Sequence, residues 1–238
     1  MKKITIHQPQ YIPWTAYFDK ILNSDTFILL DNVQFQKNGL QNRNQIKTPQ
    51  GKLWLTLPVN HSLGQLISDV VISDTKIKEK HLRSFTMNYS KSKYFGDIFE
   101  IVESSLGTGS NSLSDISIDL IKKILDYLGY NGEIILSSDL SVSTKASELI
   151  LDICKTVGAG KYISGMGGLN YLMRKDFEAA GIEVIFQKFK LDEHKQCFPK
   201  IEFISDLSII DLLFNVGSES RNLIDQSSSS YLNWDDLT

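Results

Sequence analysis

Apolar and polar positions fall in blocks that predict an α/β chain. Ile4-Thr5-Ile6 is a short β-branched run, the mark of a buried strand, and it stops in a loop at Pro9 and Pro13. Trp14, Tyr17, Phe18, Ile21 and Leu22 then recur at helical spacing, and Thr26 to Leu30 is a second apolar run. Strand, loop, helix and strand in that order outline a βαβ unit, hence a parallel sheet. Further along, residues 53–59, 70–72, 133–136, 161–164 and 182–186 read as strands. Residues 78–87, 94–106, 114–128, 144–157, 170–180 and 208–216 read as helices, with Ser114 as one cap and Gly158 as one stop. The polar stretch Gln34 to Gln50 and the run Gly107 to Ser112 read as loops, and the serines from Ser227 open a tail expected to be mobile over about 225–238. No repeat or linker interrupts this order. The expectation is one Rossmann-like α/β domain over 1–238, with a mainly parallel sheet, flanking helices and a helical insertion at about 76–130.

Composition narrows the class. Hydrophobic residues make up 42% of the 238 and charged residues 22%, enough apolar surface for a core. Lysine and arginine number 25 against 28 acids, a net charge of −3, so no nucleic-acid partner is expected. Cys154 and Cys197 are the two cysteines, and neither belongs to a CxxC or Cys/His cluster. A reduced cytoplasmic protein without structural zinc follows. Cys154 lies on the apolar face of its helix and reads as core, while Cys197 is open to either role. His61, His81 and His194 show no metal-ligand spacing, and no GxSxG elbow occurs. No apolar run is long enough for a signal peptide or a membrane span.

Candidate chemistry gathers in three turns. His7, Gln8, Gln10, Tyr11 and Trp14 follow the first strand, and open α/β sheets bind ligands beyond the carboxyl ends of their strands. The plainer alternative is a loop shaped by Pro9, Pro13 and Trp14 in which His7 merely satisfies a backbone group. Asp31, Gln34, Lys37, Asn42, Arg43, Asn44 and Lys47 follow the second strand, where Arg43 offers a fork for phosphate or carboxylate; most such stretches are simply solvated. Ser164-Gly165-Met166-Gly167-Gly168 and Tyr171 follow a later strand, and Lys145 begins the helix before it. Glycines there let backbone N–H groups approach an anion, although the run is neither a Walker loop nor a GxGxxG fingerprint. The expectation is that the three turns converge on one rim of the sheet.

The opening IHQPQYIPWTAYFDKILNSDTFILLDNVQFQKNGLQNRNQIKTPQGKLWLTLPV closely resembles the start of WbqC-like proteins. The segments STKASELILDICKTVGAGKYISGMGGLNYL and LSIIDLLFNVG resemble that family's C-terminal half. Four ordered blocks carry the likeness: HQPxYxPW, DxVQFxK, NRNxIK and SGxGGxxYL. The resemblance implies a place in O-antigen, lipopolysaccharide or other surface-polysaccharide biosynthesis, with a nucleotide-linked amino sugar as substrate. It carries over His7, Gln8, Tyr11, Trp14, Asp31, Gln34, Lys37, Asn42, Arg43, Asn44, Lys47, Ser164, Gly165 and Tyr171 as site positions. The order of elements is also similar to the HxGH nucleotidyltransferase core of pantothenate synthetase and class I aminoacyl-tRNA synthetases. This chain departs from it by having one histidine in the loop, with Trp14 or Ala16 at the second position.

The expected activity is ATP-dependent transfer of an acyl or aminoacyl group, from a small acid or amino acid, to the sugar's amine. His7 and Lys145 would stabilise phosphate charge, Arg43 and Lys37 would hold phosphates or a carboxylate, and Asp31 would accept the amine's proton. Gly167 belongs to the phosphate turn. Magnesium is expected with ATP. The alternatives are an acyl-thioester-dependent N-acyltransferase and a non-catalytic sugar-nucleotide binding protein; a homodimer stays open as its assembly.

Overall fold

A computed structural model describes residues 1–237 of the chain. In chain order, β1 (Lys3–His7), α1 (Thr15–Leu22) and β2 (Thr26–Leu29) open the fold. The hairpin β3 (Arg43–Thr48) and β4 (Gly51–Thr56) follows, then the short pair β5 (Val59–Asn60) and β6 (Val71–Ile72). Three helices come next, α2 (Lys76–Tyr89), α3 (Phe95–Leu106) and α4 (Leu113–Tyr127). After β7 (Glu133–Leu136) the chain alternates α5 (Ala146–Thr156), β8 (Lys161–Gly165), α6 (Arg174–Ala179) and β9 (Glu183–Lys190). It closes with α7 (Ile209–Val216), α8 (Ser220–Gln226) and β10 (Ser228–Leu232).

The main sheet runs β10-β9-β8-β1-β2-β7, parallel throughout except for the antiparallel edge strand β10. From β1 the chain builds outward through β2 and β7, then crosses back to place β8 on the other side of β1. The direction of winding therefore reverses between β1 and β8. That is the switch point at which open α/β sheets leave a crevice for ligands.

Strand periodicity divides the core between two layers. Phe27 and Leu29 of β2 face the cluster that includes α1, α4 and α7, whereas Ile28 and the following Leu30 face the cluster under α5 and α6. Every residue of α1 is buried, Asp19 and Lys20 included, because β9 and β10 cover the face that an amphipathic reading leaves to water. No described helix is long and apolar enough to cross a membrane.

Several local expectations are corrected. The polar stretch read as loop contains β3, and Asn42, Asn44 and Lys47 within it are buried. They serve irregular backbone: Asn42 Nδ2 donates to the Leu57 carbonyl (2.9 Å) and Asn44 Nδ2 to that of Ile12 (2.9 Å). Lys47 Nζ donates to Gln196 Oε1 (3.0 Å) and to the Ile201 and Glu202 carbonyls (3.2 and 3.1 Å). The segment expected as a mobile tail instead supplies β10, for Ser229 Oγ and Tyr231 Oη donate to the buried Asp19 (3.1 and 2.9 Å); Thr238 lies outside the described residues. Ser112, not Ser114, caps α4, its Oγ accepting from the Asp115 N–H (3.1 Å). The glycine turn is a 3-10 turn, Met166–Asn170, and α6 starts only at Arg174.

Candidate functional site

The switch point holds a cavity of about 360 Å³. One wall is His7, Trp14, Tyr17 and Lys20; the other is Gly165, Met166 and Gly167 after β8, with Gln187, Lys188 and Phe189 of β9. No carboxylate of the described residues lines it. Lys20 is 4% exposed, and its ammonium makes no hydrogen bond or ion pair with any described residue. Its Nζ stands 3.9 Å from the point that a Cβ on residue 165 would occupy, which places the ammonium against the Gly165 turn. Burial lowers Lys20 from 10.5 to about 8, against the pull of Asp19. Asp19 itself is taken up by other donors, since Gln187 Nε2 joins Ser229 and Tyr231 on Oδ2. Burial raises its carboxyl.

His7 is the last residue of β1, its ring edge-on to Tyr17 at 4.6 Å. Nδ1 lies 3.1 Å from the Gln8 carbonyl, which can only accept, so Nδ1 carries the hydrogen and Nε2 the lone pair. Burial first, and the Lys20 charge second, lower its pKa to about 3. The cavity thus combines one buried unpaired ammonium, the exposed Lys188 at its rim, one neutral imidazole and a glycine turn. An oxyanion fits this set: it would restore the full charge of Lys20 and meet backbone N–H groups at Gly165–Gly167.

The remaining predicted residues stand elsewhere. Asn42, Arg43 and Lys37 line a second cavity of about 250 Å³, and Gln34 lies in the groove beside it. Two of the three turns converge; the Arg43 turn does not share their cavity. Asp31 accepts from Ser137 Oγ (2.9 Å), Ser138 N (3.0 Å) and Ser138 Oγ (2.7 Å), so it pins the turn after β7 rather than facing a ligand. Tyr11 is fully buried with its Oη 2.8 Å from His81 Nδ1, and burial raises its hydroxyl pKa. Gln8 Oε1 accepts from Gln41 Nε2 (2.7 Å) and Ser164 Oγ donates to the Gly165 carbonyl (3.0 Å). Lys145 and Tyr171 line a larger groove, about 830 Å³ between α5 and α6. Glu148, Asp152 and Asp176 line it too and offset Lys145 and Lys155, which makes it a poorer anion site than the smaller cavity.

The match to the WbqC-like protein family runs over residues 8–223, which takes in the cavity from Trp14 to Phe189. The chain belongs to the WbqC-like protein family. The uncharacterized protein Rv1507c of Mycobacterium tuberculosis is 34% identical to this chain over 230 residues, spanning 94% of this chain and 98% of that one. No solved structure matches the chain. Of the four sequence blocks, His7 and Trp14 of HQPxYxPW and Gly165 to Gly167 of SGxGGxxYL line the switch-point cavity, while DxVQFxK and NRNxIK contribute to the second.

Sequence reasoning missed Asp19, Lys20, Gln187 and Lys188. A signal for the first two exists: they interrupt a helix otherwise filled by Ala16, Tyr17, Phe18, Ile21 and Leu22. A helix apolar on most sides is buried all round, and its charged residues must then be paired or used. For Gln187 and Lys188 the sequence holds no comparable mark.

Proposed function

We propose that the chain is a biosynthetic enzyme of surface polysaccharides that transfers an acyl or aminoacyl group to the amine of a nucleotide-linked amino sugar, with ATP driving the step. The single observation that carries the phosphate part is Lys20, a buried ammonium without a partner in an acid-free cavity at the switch point. Membership of the WbqC-like family supports the polysaccharide setting.

Lys20 and the N–H groups at Gly165–Gly167 would hold phosphate oxygens, and Lys188 adds charge at the rim. ATP, when bound, supplies the activation of the acid's carboxylate. A divalent ion would come with the phosphates, mostly through waters; among the described residues no cluster of three His, Cys, Asp or Glu stands ready to hold a metal. In the transfer itself the sugar's amine attacks the activated acyl carbon. An N–C bond forms, the acyl–oxygen bond to phosphate breaks, and the amine's proton passes to His7 Nε2. Burial makes that lone pair a poor base and the Lys20 charge makes it poorer; a bound phosphate removes the second of these effects and so raises the affinity of His7 for a proton.

The test is incubation with ATP, magnesium, small acids including glycine, and a panel of nucleotide-linked amino sugars, followed by mass spectrometry and assay for ADP and pyrophosphate. A mass-shifted sugar that disappears in Lys20→Met is the expected result. Neither product nor nucleotide turnover with any combination would defeat the reading. Tight binding without turnover would point to a non-catalytic carrier, and consumption of a thioester without nucleotide to the other transferase chemistry.

A further inference from the structure

The second cavity differs from the first in size and in what it leaves unsatisfied. Phe35, Lys37, Asn38, Asn42, Arg43 and His61 form most of its wall, and none of its lining residues is acidic. The groove beside it shares Phe35, Lys37 and His61 and again contains no carboxylate. In a chain of net charge −3, two adjoining hollows without an acidic lining residue, which share Lys37 and of which the first adds Arg43, concentrate positive potential locally.

Arg43 is held in place before any ligand arrives. Its guanidinium lies 4.7 Å from the Trp54 ring centroid, and Nη2 donates to the Asn38 carbonyl (2.6 Å). The buried Nε–H has no acceptor. Nη1 makes no hydrogen bond with any described residue, so an oxyanion entering the cavity would find a charged donor there. Asn42 Nδ2 does not compete for that oxyanion, being spent on the Leu57 carbonyl. Phe35 and Val59 offer an apolar wall beside the charge. The volume, about 250 Å³, lies below the ~300–1,000 Å³ of sites for drug-sized ligands and suits a small acid.

We infer that the Arg43 cavity is a carboxylate site, taking a small carboxylic acid or amino acid on Arg43 and Lys37, apart from the phosphate cavity at Lys20. Its role as the seat of the acid co-substrate rests on the transfer reading above; the binding of a carboxylate does not. The two seats are mechanically joined. Gln41 Nε2 donates to Gln8 Oε1 (2.7 Å), its Oε1 accepts from the Gln36 N–H (2.8 Å), and its carbonyl accepts from the Tyr11 N–H (3.0 Å). The loop that bears Lys37 and leads into Arg43 of β3 is thus tied to the loop that follows His7.

The experiment is NMR titration of the full-length, nitrogen-15-labelled chain with acetate, glycine, benzoate and, separately, pyrophosphate. At least one carboxylate should shift the amides of residues 36–43 and 59–61 and the Arg43 Nε–H signal. Arg43→Met should weaken that binding at least about tenfold, the exposed Lys37→Ser by about threefold, and Lys20→Met not at all. If no carboxylate perturbs these signals, or if Lys37→Ser and Arg43→Met both leave the affinity unchanged, the inference is wrong. Pyrophosphate occupying the Arg43 cavity while the carboxylates do not would overturn it in favour of a phosphate seat. Carboxylates binding at Arg43 with no pyrophosphate response at Gly165–Gly167 would instead uphold it and remove the phosphate role of Lys20.

Discussion

Replacing Lys20 with methionine should make the ligand-free protein more stable while abolishing phosphate binding. Burial lowers the Lys20 ammonium from 10.5 to about 8. At about 1.4 kcal/mol per tenfold change in proton affinity, holding the charge inside the fold near neutral pH costs about 3 kcal/mol. Methionine keeps the length and apolar stem without that cost. The variant should therefore gain up to about 3 kcal/mol in urea unfolding near pH 7, or roughly 6–12 °C in Tm for a chain of this size. The sign has a second consequence. Between about pH 8 and 10.5 the unfolded chain keeps the Lys20 proton and the native chain has lost it, so native stability rises with pH across that window. The difference between native sequence and variant should shrink by the same amount there. Pyrophosphate should protect the native sequence in proportion to the logarithm of its concentration and leave the variant unmoved. A variant destabilised by more than about 1 kcal/mol, or one with an unchanged pH ramp, would refute the claim that Lys20 is a buried unpaired charge.

Other outcomes follow from neighbouring geometry. Gly168→Ala should cost about 1–3 kcal/mol, because a Cβ there overlaps Ser164 Oγ and stands 2.9 Å from Leu172 Cδ1; Gly167→Ala, with nothing within 4 Å, should leave thermal unfolding unchanged. Asp31→Ala removes a carboxylate that accepts from Ser137 and Ser138, and should cost about 2–4 kcal/mol in urea while leaving pyrophosphate affinity intact. On the acid side, His7 and His81 are lowered to about 3 and about 4, both chiefly by burial. The unfolded chain takes up their protons first, so the urea midpoint should fall as pH drops below about 6.5. Asp211, raised to about 6 by burial, opposes this between about pH 6 and 3.8. Histidine NMR titrations in which His7 and His81 protonate near their ordinary pH would contradict the acid-side account.

Much of the architecture was legible because strands and helices announce themselves by period. Ile4 and Ile6, the stripe Tyr17-Phe18-Ile21-Leu22 and the run Phe27 to Leu30 each state which side is apolar, and a βαβ order admits a parallel sheet. β10 was not legible. Its serines have no apolar period, and what orders them is an acceptor more than 200 residues away, Asp19. Asn42, Asn44 and Lys47 misled in the same manner, as polar residues that look solvated in sequence and are buried by their partners in space.

The chain's own pattern decided which segments form strands and helices, and it marked the His7 loop and the Gly165 turn, because propensity and periodicity are local properties. Only the tertiary structure decided that these two turns share a cavity, that Arg43 occupies another, and that Lys20 is the unpaired charge between the walls. Those facts depend on the crossover that sets β8 beside β1 and on β9 and β10 closing over α1. A pairing of strands more than 150 residues apart leaves no trace in the spacing of either one.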